Sequence, residues 1–140
     1  MALFDTAGEE DFDRLRPLSY SDTNVVLICF CVNHPASALN VIDKWIPEIR
    51  HFCGQCPVIL VACKIDLRTD SHTIEKLKKQ GEKPVTTEVG KQIATQIKAD
   101  AYMESSAKTR EGVEEIFIHA ARLSLEKRFH HTNRWRCTLY

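Results

Sequence analysis

No excess of charge of either sign marks this chain. Its 19 Lys and Arg stand against 19 Asp and Glu, which excludes the basic footprint that a nucleic-acid-binding domain presents. No apolar run reaches the roughly 18 residues of a membrane span; the longest is Val25 to Val32. The basic region and long apolar stretch of a signal peptide are also missing from the N-terminus. The six Cys are scattered, with Cys29, Cys31 and Cys63 inside apolar runs, which suits reduced thiols rather than a disulfide framework. Cys53-Gly54-Gln55-Cys56 has C-x-x-C spacing, yet no second Cys or His pair follows at zinc-finger distance. The six His form no H-E-x-x-H cluster.

What is present is the composition of a globular domain: 44% hydrophobic and 27% charged residues over 140 positions, enough for one hydrophobic core. Val25–Val32 is continuous, β-branched and aromatic, as expected of a strand buried on both faces of a parallel sheet. After Pro35, Ile42, Trp45, Ile46, Ile49 and Phe52 recur at three- and four-residue intervals, predicting an amphipathic helix kinked near Pro47. Pro57–Ala62 reads as a second buried strand with its Pro at the tolerated first position. Leu67–Val85 turns polar, with a short helix expected around Ile74–Leu77. Thr86 or Thr87 is placed to cap a helix whose apolar face is Val89, Ile93, Ala94 and Ile97. A short strand Tyr102–Glu104 and a final helix with Val113, Ile116, Phe117, Ala120 and Leu123 on one side complete the pattern. Strand and helix alternate, so an α/β fold of three layers is expected. Ligands in such folds sit at the carboxyl ends of the strands.

Three short motifs fall at those ends. Asp5-Thr6-Ala7-Gly8 follows the apolar stub Met1–Phe4, expected to be a strand. A carboxylate and a flexible amide at one strand tip can hold Mg²⁺ and sense a terminal phosphate, though the same four residues also read as an ordinary turn. Cys63-Lys64-Ile65-Asp66 ends the second buried strand, and Ser105-Ser106-Ala107-Lys108 ends the third. A carboxylate such as Asp66 accepts two parallel hydrogen bonds, matching guanine's ring N–H and exocyclic amine, a donor pair that adenine lacks. Lys64 can lay its aliphatic stem along a base plane. The small Ala107 lets backbone N–H groups approach a carbonyl oxygen.

These residues resemble the small GTPases of the Ras superfamily, and specifically the Rho family. Asp5-Thr6-Ala7-Gly8 resembles the family's magnesium and γ-phosphate motif, Lys64-Ile65-Asp66 its guanine-specificity motif, and Ser106-Ala107-Lys108 its second base-contact motif. Asp13-Arg14-Leu15-Arg16-Pro17-Leu18-Ser19-Tyr20 is similar to the Rho form of switch II; Lys44-Trp45 and His51-Phe52-Cys53 are also Rho-like. The resemblance implies a Ras-like P-loop NTPase fold over residues 1–126, with the Rho insert helix near 68–83 and a basic tail at 127–140. It implies GTP or GDP as ligand through Asp5, Gly8, Lys64, Asp66, Ser106, Ala107 and Lys108, with Asp5 reaching Mg²⁺ through water. As partners it implies exchange factors, GTPase-activating proteins, dissociation inhibitors and effectors, in cytoskeleton-type signalling.

The chain departs from the family in three places. No Gly-x-x-x-x-Gly-Lys-Ser/Thr occurs in the 140 residues, so the expectation is a fold lacking the phosphate loop and the first two strands. Folding in isolation is expected to suffer from the missing central strand. Glu9 stands where the family has the glutamine that orients the attacking water; an ionised Glu only accepts hydrogen bonds, so slow hydrolysis is expected. Cys63 stands where most small GTPases carry Asn, as it does in some Rho branches. A non-enzymatic module that binds Rho regulators or effectors without nucleotide is the alternative expectation. At the end, Cys137-Thr138-Leu139-Tyr140 fits C-a-a-X prenylation of Cys137, preceded by Lys127, Arg128, Arg134 and Arg136. That expectation places the protein in the cytoplasm, at the cytoplasmic face of the plasma or an internal membrane once Cys137 is modified.

Overall fold

The computed structural model describes residues 2–132, with side-chain environments through residue 126. Its centre is a three-stranded parallel sheet in the order β1 (Val26–Cys31), β2 (Val58–Cys63), β3 (Ala101–Ser105). Val26 pairs with Val58 and Cys31 with Cys63; Ile59 pairs with Ala101 and Cys63 with Ser105. β2 lies between the other two strands, and Val58 to Ala62 are all buried, which is why that run is apolar without alternation.

Among the described residues, five α-helices join and cover the strands: α1 (Pro35–Asn40), α2 (Ile46–Phe52), α3 (Ser71–Lys79), α4 (Thr87–Gln96) and α5 (Val113–Thr132). On one face, Ala38, Val41 and Ile49 from the first crossover and Ile93, Ala94 and Ile97 from the second pack on Ile28, Phe30, Val58, Leu60 and Ala62. On the other face α5 lays Ile116 and Ala120 against Ile59 and Val61. The expected α/β layering is observed, and among the described residues no helix is long and apolar enough to cross a membrane.

The irregularity near Pro47 is a π-helical turn, Val41–Trp45, between α1 and α2. Ile46 donates its N–H to the Val41 carbonyl five residues back. Pro47 has no N–H and its ring crowds the carbonyl four residues earlier, so widening the preceding turn relieves the clash. α3 is longer than the motif around Ile74–Leu77 suggested because Asp70 caps it, its Oδ2 accepting from the Thr73 N–H at 2.8 Å. Of the two candidate caps for α4, Thr86 is used, accepting from the Val89 N–H at 3.3 Å.

Three expectations are corrected. Residues 2–4 form no strand: Leu3 is 63% and Phe4 76% exposed, and a strand with no ladder partner leaves its N–H and C=O groups unpaired. They line instead a groove of about 680 Å³ with Val25, Val26, Leu27 and Leu125. Val89 and Phe117 lie on helix flanks that no second layer reaches, so they are exposed rather than core.

Candidate functional site

The irregular loops that leave the carboxyl ends of β2 and β3 meet. Lys64 takes a left-handed backbone conformation, φ 61°, which turns the chain sharply out of β2 into the single 3₁₀ turn Ile65–Arg68. Such a conformation costs about 1–2 kcal/mol for a residue with a Cβ, and the surrounding contacts hold it. After β3, Ser106 pairs in an isolated antiparallel bridge with Glu111, its N–H donating to the Glu111 carbonyl at 3.0 Å. The loop closes on Gly112, φ 69°, where an added Cβ would stand 2.0 Å from the Glu104 carbonyl oxygen, so only glycine fits.

Ser106, fully buried, joins the two loops. Its Oγ donates to Asp66 Oδ1 at 2.5 Å and accepts the Thr109 N–H at 3.2 Å. Asp66 is half-buried, whereas Lys64, Ala107 and Lys108 are exposed at the rim. The result is a carboxylate fixed in direction, in loops whose exposed residues include Lys64, Ala107 and Lys108.

Behind it, Arg68 ties the first loop to the body. Its guanidinium donates to both oxygens of Glu104, at 2.7 and 2.8 Å, to Thr87 Oγ1 at 3.0 Å and to the Val85 carbonyl at 2.9 Å. Tyr102 donates its hydroxyl proton to Glu104 at 2.5 Å. The Arg68 hydrogen bonds are the main cause that holds the Glu104 carboxyl down at about 2. Sequence reasoning passed over this pair, although an Arg two residues beyond Asp66 and a Glu inside a strand were its available signals.

The N-terminal motif lies elsewhere. Asp5 and Gly8 belong to the exposed segment 2–10, and a Cβ on Gly8 would be 3.4 Å from the Trp45 ring. Arg16 governs this region. Buried against Trp45, with its guanidinium 4.9 Å from the ring centroid, it donates to the Ala7 carbonyl at 2.8 Å, the Glu9 carbonyl at 3.0 Å, Asp13 at 2.7 Å and Glu48 at 2.9 Å. Tyr20 donates to the same Glu48 carboxylate, and Lys44 bridges to Asp13 at 3.1 Å. The structure thus brings Asp66 and Ser106 together and leaves Asp5, Gly8 and Glu9 in a separate loop held on α2. Cys137 lies outside the described residues.

Residues 1–126 match the model of the Ras family. The chain is 53% identical over 139 residues to the GTP-binding protein RHO1 of Candida albicans, covering 99% of this chain and 70% of that protein. It is 58% identical over 125 residues to the GTP-binding protein RHO1 of Saccharomyces cerevisiae, covering 89% and 60%. With the human Rho-related GTP-binding protein RhoB it shares 53% over 129 residues, covering 92% and 66%. The chain belongs to the Rho family of the Ras superfamily. It spans 60–70% of the length of these Rho relatives. The parallel three-stranded sheet and its helices are accordingly a Ras-like α/β architecture.

Proposed function

We propose that the paired loops at 64–68 and 105–108 bind the guanine base of GTP or GDP, and that this chain carries the base-recognition part of a Rho-type switch. The observation that supports this best is the Ser106–Asp66 hydrogen bond of 2.5 Å, which orients a carboxylate at the carboxyl edge of the sheet. Such a carboxylate selects guanine by accepting its ring N–H and exocyclic amine together, while the stems of Lys64 and Lys108 cover the base faces and the Ala107 backbone meets the carbonyl oxygen.

The phosphate side is weaker. The 140 residues contain no Gly-x-x-x-x-Gly-Lys, and among the described residues no group of three or more His, Cys, Asp or Glu is placed to hold a metal ion. Asp5 alone does not make a Mg²⁺ site, so the reading uses no step through the metal. Base contacts without several charge-assisted phosphate bonds give weak affinity. Hydrolysis is slow because Glu9, at the position of the family glutamine, presents no donor to a terminal phosphate. Exchange factors, activating proteins, dissociation inhibitors, effectors and a membrane reached through Cys137 complete the proposal by family likeness.

Titration of the 140-residue chain with fluorescent guanine and adenine nucleotides tests it. A guanine preference that disappears in Asp66→Ala is expected; equal binding of both bases by the parent would overturn the assignment. A second reading, a protein-binding module independent of nucleotide, is favoured by Arg16, which orders residues 7–20 against α2 through protein groups alone.

A further inference from the structure

The turn that carries Asp66 out of β2 has little with which to hold its own shape. Ile65–Arg68 is a single 3₁₀ turn, it follows the left-handed Lys64, and no side chain caps its start. It closes on a hydrogen bond from the Leu67 N–H to the Lys64 carbonyl at 2.9 Å. One isolated turn is not self-sustaining. Ile65 and Leu67 are partly buried against the core, which sets how deep the turn sits. Apolar contact has no direction, so it does not set how the turn is rotated on that anchor. Direction has to come from its far end, where Arg68 stands.

We propose that Arg68 is a positioning residue for guanine recognition, its guanidinium fixing the rotation of the Asp66 turn by bonding β3 and the start of α4 at once. The inference rests on the base-binding reading of these loops. Arg68 bonds both oxygens of Glu104, and Glu104 lies two residues before Ser106, on the strand that leads into the second loop. One planar fork thereby sets the first loop relative to the second, a relation that two loops reading one base must keep. The same guanidinium donates to the Val85 carbonyl and to Thr87 Oγ1. Val85 is itself held, its N–H donating to the Val32 carbonyl just past β1 at 2.9 Å. The excursion through α3 thus leaves from Arg68 and returns to it. None of these bonds goes to Asp66, so Arg68 acts through the backbone between them. Glu104 is braced from behind by Tyr102, whose hydroxyl donates to Oε1 at 2.5 Å. Gly90, buried in α4, leaves the space for that hydroxyl: an added Cβ would stand 2.2 Å from it. Glycine is a poor residue inside a helix, and here its missing Cβ is what admits the ring.

Arg68→Lys is the test, because it keeps the charge and loses the fork: an ammonium does not reproduce four bonds arranged around a plane. Amide hydrogen exchange of the 140-residue chain is followed by NMR without nucleotide, beside the urea midpoint. Guanine and adenine diphosphates carrying the same fluorescent group are then titrated. In Arg68→Lys the Leu67 amide should exchange about tenfold faster than in the parent, while the amides of Val58–Ala62 keep their rates. The guanine-over-adenine preference should fall about tenfold in the same variant. Tyr102→Phe keeps the ring beside Gly90 and removes one donor from Glu104, so it should show both changes at about threefold; it decides the matter if Arg68→Lys does not fold. Unchanged Leu67 exchange would overturn the proposal, as would equal loss of protection at Leu67 and in β2, the mark of a merely structural ion pair. A parent that binds both bases equally sinks the base reading, and the positioning role with it. A parent that prefers guanine beside a folded Arg68→Lys that prefers it equally sinks the positioning role alone.

Discussion

The loops after β2 and β3 and the loop before β1 are all irregular and charged, yet they are held in different ways. The first pair inherits its position from strands on either side: a β-bridge at Ser106–Glu111, the Ser106–Asp66 bond and the Arg68–Glu104 pair all act within a few residues of hydrogen-bonded ladder. Residues 2–20 have no ladder at all and are held mainly by one side chain, Arg16, with Tyr20–Glu48 and Lys44–Asp13 beside it. A loop pinned by flanking strands fails only with the fold. A loop pinned by a few side chains, Arg16 foremost, can open alone.

The largest expected effect falls on the first kind of loop. Gly112→Ala forces a Cβ into the Glu104 carbonyl at 2.0 Å and a side chain into φ 69°, so it should destabilise the whole domain by about 3–4 kcal/mol, read as a lower urea midpoint. A loss under about 1 kcal/mol would show that the 105–112 loop is not rigidly joined to β3. Arg16→Ala comes next, with a different signature. It strips partners from Glu48, Asp13 and two carbonyls, a loss of about 2–4 kcal/mol for a buried pair broken on one side. Because residues 2–20 can detach, the urea midpoint should move little while trypsin cleavage after exposed Arg14 rises about tenfold or more. Parallel loss of midpoint and protection would make the two loops equivalent.

Acid separates them more finely. Glu104 is held down at about 2 against an ordinary value of 4.5, mainly by Arg68. A carboxylate with a depressed folded-state value stabilises above its unfolded value and loses that contribution as pH falls toward the folded one. The base loop should therefore lose about 1–2 kcal/mol, after solvent screening, between pH 4.5 and 2, and Glu104→Gln should flatten that part of the pH–stability curve. A parent curve already flat there would show that the ion pair is immaterial. The smallest effect belongs to Glu9→Gln. Only its backbone carbonyl is engaged, by Arg16 and the Phe12 N–H, so stability should stay within about 0.5 kcal/mol. If its side chain anchored the loop, trypsin protection at Arg14 would fall in this variant.

The same contrast explains what could be read in the sequence. Runs such as Val58–Ala62 announce a buried strand because burial on both faces leaves no polar position. The motifs at Lys64–Asp66 and Ser106–Lys108 were legible as strand-tip residues. That Ser106 would point at Asp66 across 40 positions was not, since no local periodicity encodes it. Met1–Phe4 has strand composition, but a strand is a relation between two segments, and the described residues 2–4 have no ladder partner. Phe117 keeps helical spacing with Ile116 and Ala120 and still faces outward, because spacing identifies a stripe and not its width. Arg16 was invisible as an anchor: a charged residue among charged residues reads as solvated until Trp45 and Glu48 are seen above it.

The wide turn at Val41–Trp45 is, in effect, a phase shifter. An α-helix advances about 100° per residue, so the one extra residue accommodated there sets the angular position of everything beyond it. Ala38 before the turn and Val41 at its start face the sheet; Ile49 beyond it still does, while Trp45 at its end and Glu48 beyond it reach residues 7–20. Shortening this turn by a single residue would swing α2 by about a quarter revolution relative to α1. The sheet could accept another apolar residue in place of Ile49, but no substitute would stand where Arg16 meets its ring and its carboxylate. The orientation of the N-terminal loop is thus encoded some thirty residues away, in the length of a helix rather than in the loop's own chemistry.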